Sequence, residues 1–523
     1  MSTLNPYSGE WDFDKASFLL GRTTFAKTKA LAKESEDLGL LATLDRLFED
    51  KATPDPPIHF RFANDPEAPI GTTWVDKYYP ANDIQGLRGS RRNSVIVWHT
   101  GLMQEAGMSI LEKMVLFWHE HFPVNDINRG EVSFNYLSTI REHALANFKT
   151  LTQEMTISPA MLLFLNGSQN NAQSPNENYA RELLELFTIG RGDAVGDGDY
   201  TNYTEQDIVE LAKALTGWTL RIAETGYAES FFLNNRHDST TKELSHRFDG
   251  MLIEDGGDQE FKTVIDIILG KKEVARYICR QLHIWFVGSD ITTDVEANII
   301  EAMATIMFDN DYDIKAPLRA LLESEYFFDE THKGCMISSP MDYLFKTINT
   351  MEVEMPEDII AKYFVWESIA SVGGLLEMVV MNVPSVAGWK AYYQAPNYYQ
   401  FWINSVTLGF REQVANQLIV GSQVGDSRFG IDVLAFSEGI ENSTDPNELI
   451  INLAKILFEF PLSQNQIDYL KGVLINGLPD FEWTVEYGMY LEDPNNDDLK
   501  ISVYNKLATL LLTMMKMPEF YLM

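Results

Sequence analysis

The stretch from Ser174 to Phe187 (Ser-Pro-Asn-Glu-Asn-Tyr-Ala-Arg-Glu-Leu-Leu-Glu-Leu-Phe) constrains the fold most, because its pattern sorts into two clean faces only when wound as a helix. Asn178, Arg181, Glu182 and Glu185 fall at i, i+3, i+4 and i+7, which makes one polar stripe. Tyr179, Leu183, Leu186 and Phe187 make the opposite, apolar stripe. A strand would mix the two sets on both faces. Ser174 is expected to cap this helix, with Pro175 at its first position and Glu177 closing a capping box. Glu177–Arg181 and Arg181–Glu185 have the spacing of ordinary ion pairs on a solvated face. The same residues, turned inward, would line a polar site.

Helical periodicity recurs along the chain, with starts at Asp12 or Asp14, Thr204 with Asp207, Asp445-Pro446, and Ser463 with Gln466. Long helices are expected at about 104–122, 131–154 and 159–166, and again at about 260–269, 271–287 and 293–308. Alternation is confined to short runs. His59-Phe60-Arg61-Phe62 with Thr73-Trp74-Val75 suggests one small hairpin, and Phe231-Phe232-Leu233 with His246-Arg247-Phe248 a second. The expected fold is therefore mostly α: a multi-helix globular protein with one or two small β-hairpins and no large sheet. Its expected organisation is an N-terminal helical lobe, 1–288, packed closely against a C-terminal helical lobe, 289–523.

Charge narrows the partners. The 523 residues carry 41 basic and 76 acidic side chains, a net charge of −35. Such a field repels phosphate backbones and anionic lipid, so nucleic-acid binding is not expected. No run approaches the 18 apolar residues of a membrane span, and Met1 to Leu40 lacks a basic start followed by an apolar core. The expectation is no membrane insertion, with the protein either cytoplasmic or exported to the periplasm or cell surface alongside a partner. Cys279 and Cys335, the only cysteines, cannot build a zinc knuckle or a disulfide framework.

Histidines concentrate the candidate chemistry. In His119-Glu120-His121 the imidazoles are i and i+2, about 200° apart on a helix, so both cannot reach one ion. Pro123 places His121 in a last turn, where the negative helix end favours the imidazolium and His121 could cap the helix or donate a proton; either His119 or His121 could also hold a metal. His143 is expected mid-helix beside the buried stripe of Ile140, Ala144 and Phe148. His237-Asp238, in a turn, has the composition of a carboxylate-oriented imidazole. Nucleotide loops, nucleophile elbows and the paired-histidine zinc motif are all missing. The candidate catalytic residues are His143, Glu177, Arg181, Glu182, His237 and Asp238. The candidate metal ligands are His119 and His121, for a divalent metal.

Several segments resemble one family in number and order. They are Phe117-Trp118-His119-Glu120-His121-Phe122, Arg141 to Phe148, Ser158 to Leu162, the 174–190 stretch, Tyr203 to Ile208, Ala214 to Trp218, His237-Asp238 with Lys242, and Val383 to Trp389. Together they are similar to the large bacterial family catalogued as domain of unknown function 1800. The resemblance implies genes often encoded beside a sulfatase-like family, domain of unknown function 1501, and hence a possible partner protein. Two functions stay open: a metal- or acid/base-dependent enzyme with a His/Glu/Arg/Asp pocket between helices, or a non-catalytic partner, export or stability factor for the sulfatase-like protein.

Overall fold

Helix starts follow local capping chemistry. Asp12 caps Phe13–Thr23, Asp445 caps Pro446–Leu457, and Thr204 with Asp207 and Ser463 with Gln466 both form capping boxes. In the computed structural model, which describes residues 4–61, 65–78, 84–223, 226–424 and 427–523, 58% of the chain is helical. The mostly α fold holds, and the described strands form only two-stranded antiparallel sheets. No described helix is long and apolar enough to cross a membrane.

Local expectations are corrected: the helix expected at 104–122 begins only at Leu111, because Gln104 ends the preceding helix Leu87–Gln104. The 177–188 helix begins at Glu177 with Asn176 as its cap, since Asn176 accepts from the Asn178 N–H while Ser174 closes a turn onto Asn171. The 131–154 stretch is two helices, Gly130–His143 and Phe148–Ile157, because Asn147 turns its side chain onto the Thr150 N–H and starts the second. His143 is thus a C-terminal residue of a helix, not a central one. Phe231 and Phe232 pair backward with Thr219 and Trp218, not forward with 246–248. At the first expected hairpin, Ile58 and Thr73 form a single bridge, and Phe62 lies outside the described residues.

A cluster of buried apolar residues runs from Phe18 to Tyr521. At its centre is the helix Leu111–His121, whose residues 111–120 are all buried. Gly130–His143 packs along it, followed by Phe148–Ile157. The buried Lys113–Asp342 ion pair ties it to the C-terminal half, while the Arg22 guanidinium donates to the carbonyls of Val287, His332 and Met523. Its last turn, at Glu120 and His121, points to the place where four separate segments meet.

Candidate functional site

The helix that begins at Glu177 widens into a π-helix over Leu183–Thr188, so the N–H groups of Ile189 and Gly190 both return to Leu184 O. Helix ends leave carbonyls without intrahelical donors. Here the Leu186 carbonyl accepts from the Tyr277 hydroxyl at 2.9 Å, and the Phe187 carbonyl accepts from His121 Nε2 at 2.9 Å. Gly190 (φ +72°) lets Tyr277 approach, since a Cβ there would lie 2.9 Å from the Tyr277 ring.

His121 therefore carries its hydrogen on Nε2, which leaves the Nδ1 lone pair without a hydrogen-bond donor among the described residues. Its ring sits among Phe117, Trp118, Phe122 and Phe187. Burial lowers its pKa to about 4, against the pull of the Phe187 carbonyl, so it is neutral at pH 7. Next to it, the Glu120 carboxyl is buried and accepts from the Trp389 N–H at 2.8 and 3.0 Å. Burial raises its pKa well above the usual carboxylate range, and that single N–H offsets little of the shift. The close approach depends on Gly388 (φ +92°), where a Cβ would fall 2.0 Å from Glu120 Oε1.

Glu120 and His121 open onto a cavity of about 270 Å³. Tyr277, Gln281 and Trp285 line it from successive turns of the Lys272–Phe286 helix, and Leu186, Val386 and Tyr392 complete the wall. The Trp285 and Tyr392 rings lie 4.5 Å apart. Neither lysine nor arginine is among the lining residues. An apolar, aromatic wall with a few polar groups is the usual make-up of a small-molecule pocket.

The other expected site residues lie elsewhere. His119 is spent on structure: its Nε2 accepts from the Met381 N–H at 3.0 Å and its Nδ1–H donates to the Tyr136 hydroxyl at 2.8 Å, which passes a bond to the Phe122 carbonyl. Burial, with His99 adding to it, lowers its pKa to about 3. Arg181 lies on the outer face, paired with both oxygens of Glu205 at 2.9 and 2.8 Å and with Glu177 at 3.5 Å. Glu182, half-buried beside them, has a raised pKa through burial, with Glu185 adding and Arg181 opposing. His143 follows Arg141 and Glu142, which border a wider cleft of about 680 Å³ with Trp98 and Phe134.

His237 belongs to a separate charge cluster with buried Glu260 and exposed Asp255, and half-buried Asp238 follows it in the chain. His237 Nδ1–H donates to the Thr216 carbonyl at 3.0 Å, and Nε2 faces Glu260 Oε2 at 3.0 Å and Asp255 at 3.6 Å. Asp238 accepts from Thr240; burial raises its pKa but those bonds outweigh it and lower it overall. His237, Asp255 and Glu260 each offer a ligand atom, all within 4.8 Å of one another, which is compatible with a divalent metal. Lys242 already places its ammonium 2.6 Å from Glu260 Oε1. The cluster thus holds a cation of its own, and a metal would have to share Glu260 with it.

Three of the family-like segments, 117–122, the end of 174–190 and 383–389, border the Glu120 cavity. The chain belongs to the family described as "Protein of unknown function (DUF1800)", which matches residues 18–522. No curated protein and no solved structure matches it.

Glu120, Tyr277, Gln281, Trp285 and Tyr392 were not among the candidate residues. Glu120 was visible only as the centre of His119-Glu120-His121. Tyr277, Gln281 and Trp285 did carry a signal, an i, i+4, i+8 stripe on one helix face.

Proposed function

We propose that this member of the family is an acid/base enzyme whose site is the Glu120–His121 cavity. Glu120 is the proton donor, kept as a neutral carboxylic acid by burial. His121 is the proton acceptor, through the Nδ1 lone pair that remains once Nε2–H is committed to the Phe187 carbonyl. General acids and bases tuned in this way typically contribute 10²- to 10⁴-fold to rate. The wall lacks fixed cations and carries Trp285 and Tyr392, so the suited substrate is small, uncharged and partly apolar, with an acceptor for Glu120 and a donor for His121. The observation that supports this reading most is that an acid and an imidazole line one cavity, with burial moving the acid's pKa up and the imidazole's down.

A panel of uncharged aromatic esters, amides and glycosides, screened for turnover and for quenching of tryptophan fluorescence, tests it. Turnover of any hit should fall at least about 100-fold in Glu120→Gln with binding kept. A panel that neither binds nor turns over, or a hit indifferent to Glu120→Gln and His121→Phe, contradicts it. A second reading, a non-catalytic partner of another protein, draws support from a different surface, described next. A divalent metal, if one serves the fold, would be held by His237, Asp255 and Glu260, away from this cavity.

A further inference from the structure

The helix Asp480–Glu492 is apolar on two opposite sides. Trp483, Tyr487 and Tyr490 are buried, with the first two rings stacked 4.8 Å apart, where the helix packs on Pro446–Leu457, Gln464–Ile475 and Asp497–Met515. About 180° around the helix, Phe481, Val485 and Met489 repeat at every fourth residue and are 60%, 54% and 51% exposed. Leu478, in the preceding turn, is also exposed. A surface helix ordinarily turns polar residues outward, and a continuous exposed apolar stripe marks a contact surface.

The rim decides what can cover it. Glu482, Glu492, Asp493, Asp497 and Asp498 are all exposed, and between 478 and 500 the only basic residue is Lys500, while Asp480 is paired with Lys471 at 3.3 Å. A second copy of the chain would bring the same five carboxylates against themselves, and an anionic bilayer would be repelled likewise. We propose that the Phe481–Val485–Met489 face docks a basic amphipathic helix of a partner protein, its apolar side on the stripe and its lysines or arginines on the acidic rim. Two helices pack against each other along such rows of residues four apart, ridge into groove.

The test titrates the full chain into a labelled synthetic Leu/Lys amphipathic helix and reads fluorescence anisotropy at low and high salt. A peptide with every Leu replaced by Ser, keeping the lysines, measures charge attraction alone. The Leu/Lys peptide should bind more tightly than its Ser counterpart and weaken as salt rises. Binding should fall at least about tenfold in the double variant Phe481→Ser, Met489→Ser. Val195→Ser, which trims an apolar residue 64% exposed on another element, should leave it unchanged. Because both stripe residues are exposed, the double variant keeps its core, which circular dichroism verifies. Equal binding to wild type and double variant, or no preference over the Ser peptide, overturns the proposal. So does self-association in sedimentation that the double variant abolishes, which would assign the face to a second copy.

Discussion

The 177–188 helix meets two different environments along its length. On its outer face, Arg181 spans Glu205 and Glu177 in the open, its side chain 34% exposed. At its end, the Leu186 and Phe187 carbonyls are held by Tyr277 and His121, beside a carboxyl whose pKa burial raises. The charged face is the conspicuous one in sequence, yet exposed pairs give little energy and little chemical selectivity. At the buried end, burial shifts both groups toward their neutral forms, the Glu120 pKa up and the His121 pKa down. There, desolvation gives each proton position a definite owner.

Four substitutions probe that contrast. The largest effect is expected where a buried charge loses its partner. Lys242→Met leaves Glu260 without its ammonium in a site where both side chains are fully buried, and should cost about 3–5 kcal/mol in denaturant unfolding. A loss comparable to that of an exposed pair would erase the distinction between the two settings. Next is Gly388→Ala, where a Cβ would meet Glu120 and the positive φ adds backbone strain. A loss of about 3 kcal/mol is expected, and a neutral result would mean the Glu120–Trp389 contact is loose.

His121 gives a pH signature. Its folded pKa of about 4 lies below the unfolded value near 6.5. The unfolded chain therefore binds the extra proton first, and stability is lost as pH falls from 6.5 toward 4. Between pH 7 and 5, wild type should lose about 2 kcal/mol more than His121→Phe. Parallel pH profiles would indicate a solvated ring. The smallest effect belongs to the outer face: Arg181→Ala should cost less than about 1 kcal/mol, and a loss of several would make this face structural after all.

How much of this was legible in the sequence depends on how local each cause is. Caps at Asp445, Ser463 and Thr204 act over three residues, so their helices could be read directly. At the 177–188 helix the expected cap, Ser174, gives way to Asn176, whose side chain accepts from the Asn178 N–H. Asn147 passed for a helix interior residue because nothing nearby signals that its side chain will break the helix. The cavity is harder still. Its walls come from 117–121, 186, 277–285 and 386–393, and no local rule brings Tyr277 to the Leu186 carbonyl. Charge marks candidate residues in a sequence, whereas burial shifts the groups that meet here toward their neutral forms.

The protonation of Glu120 at neutral pH tests the account most directly. Infrared difference spectra of wild type against Glu120→Gln, recorded as pH rises from 5 to 9, isolate this carboxyl from the rest. The account predicts a protonated carboxylic acid band at pH 7 that is present in wild type and absent from the variant, lost only as pH climbs well beyond the usual carboxylate range. A carboxylate band for Glu120 already at pH 7 would contradict it, and with it the role of Glu120 as proton donor.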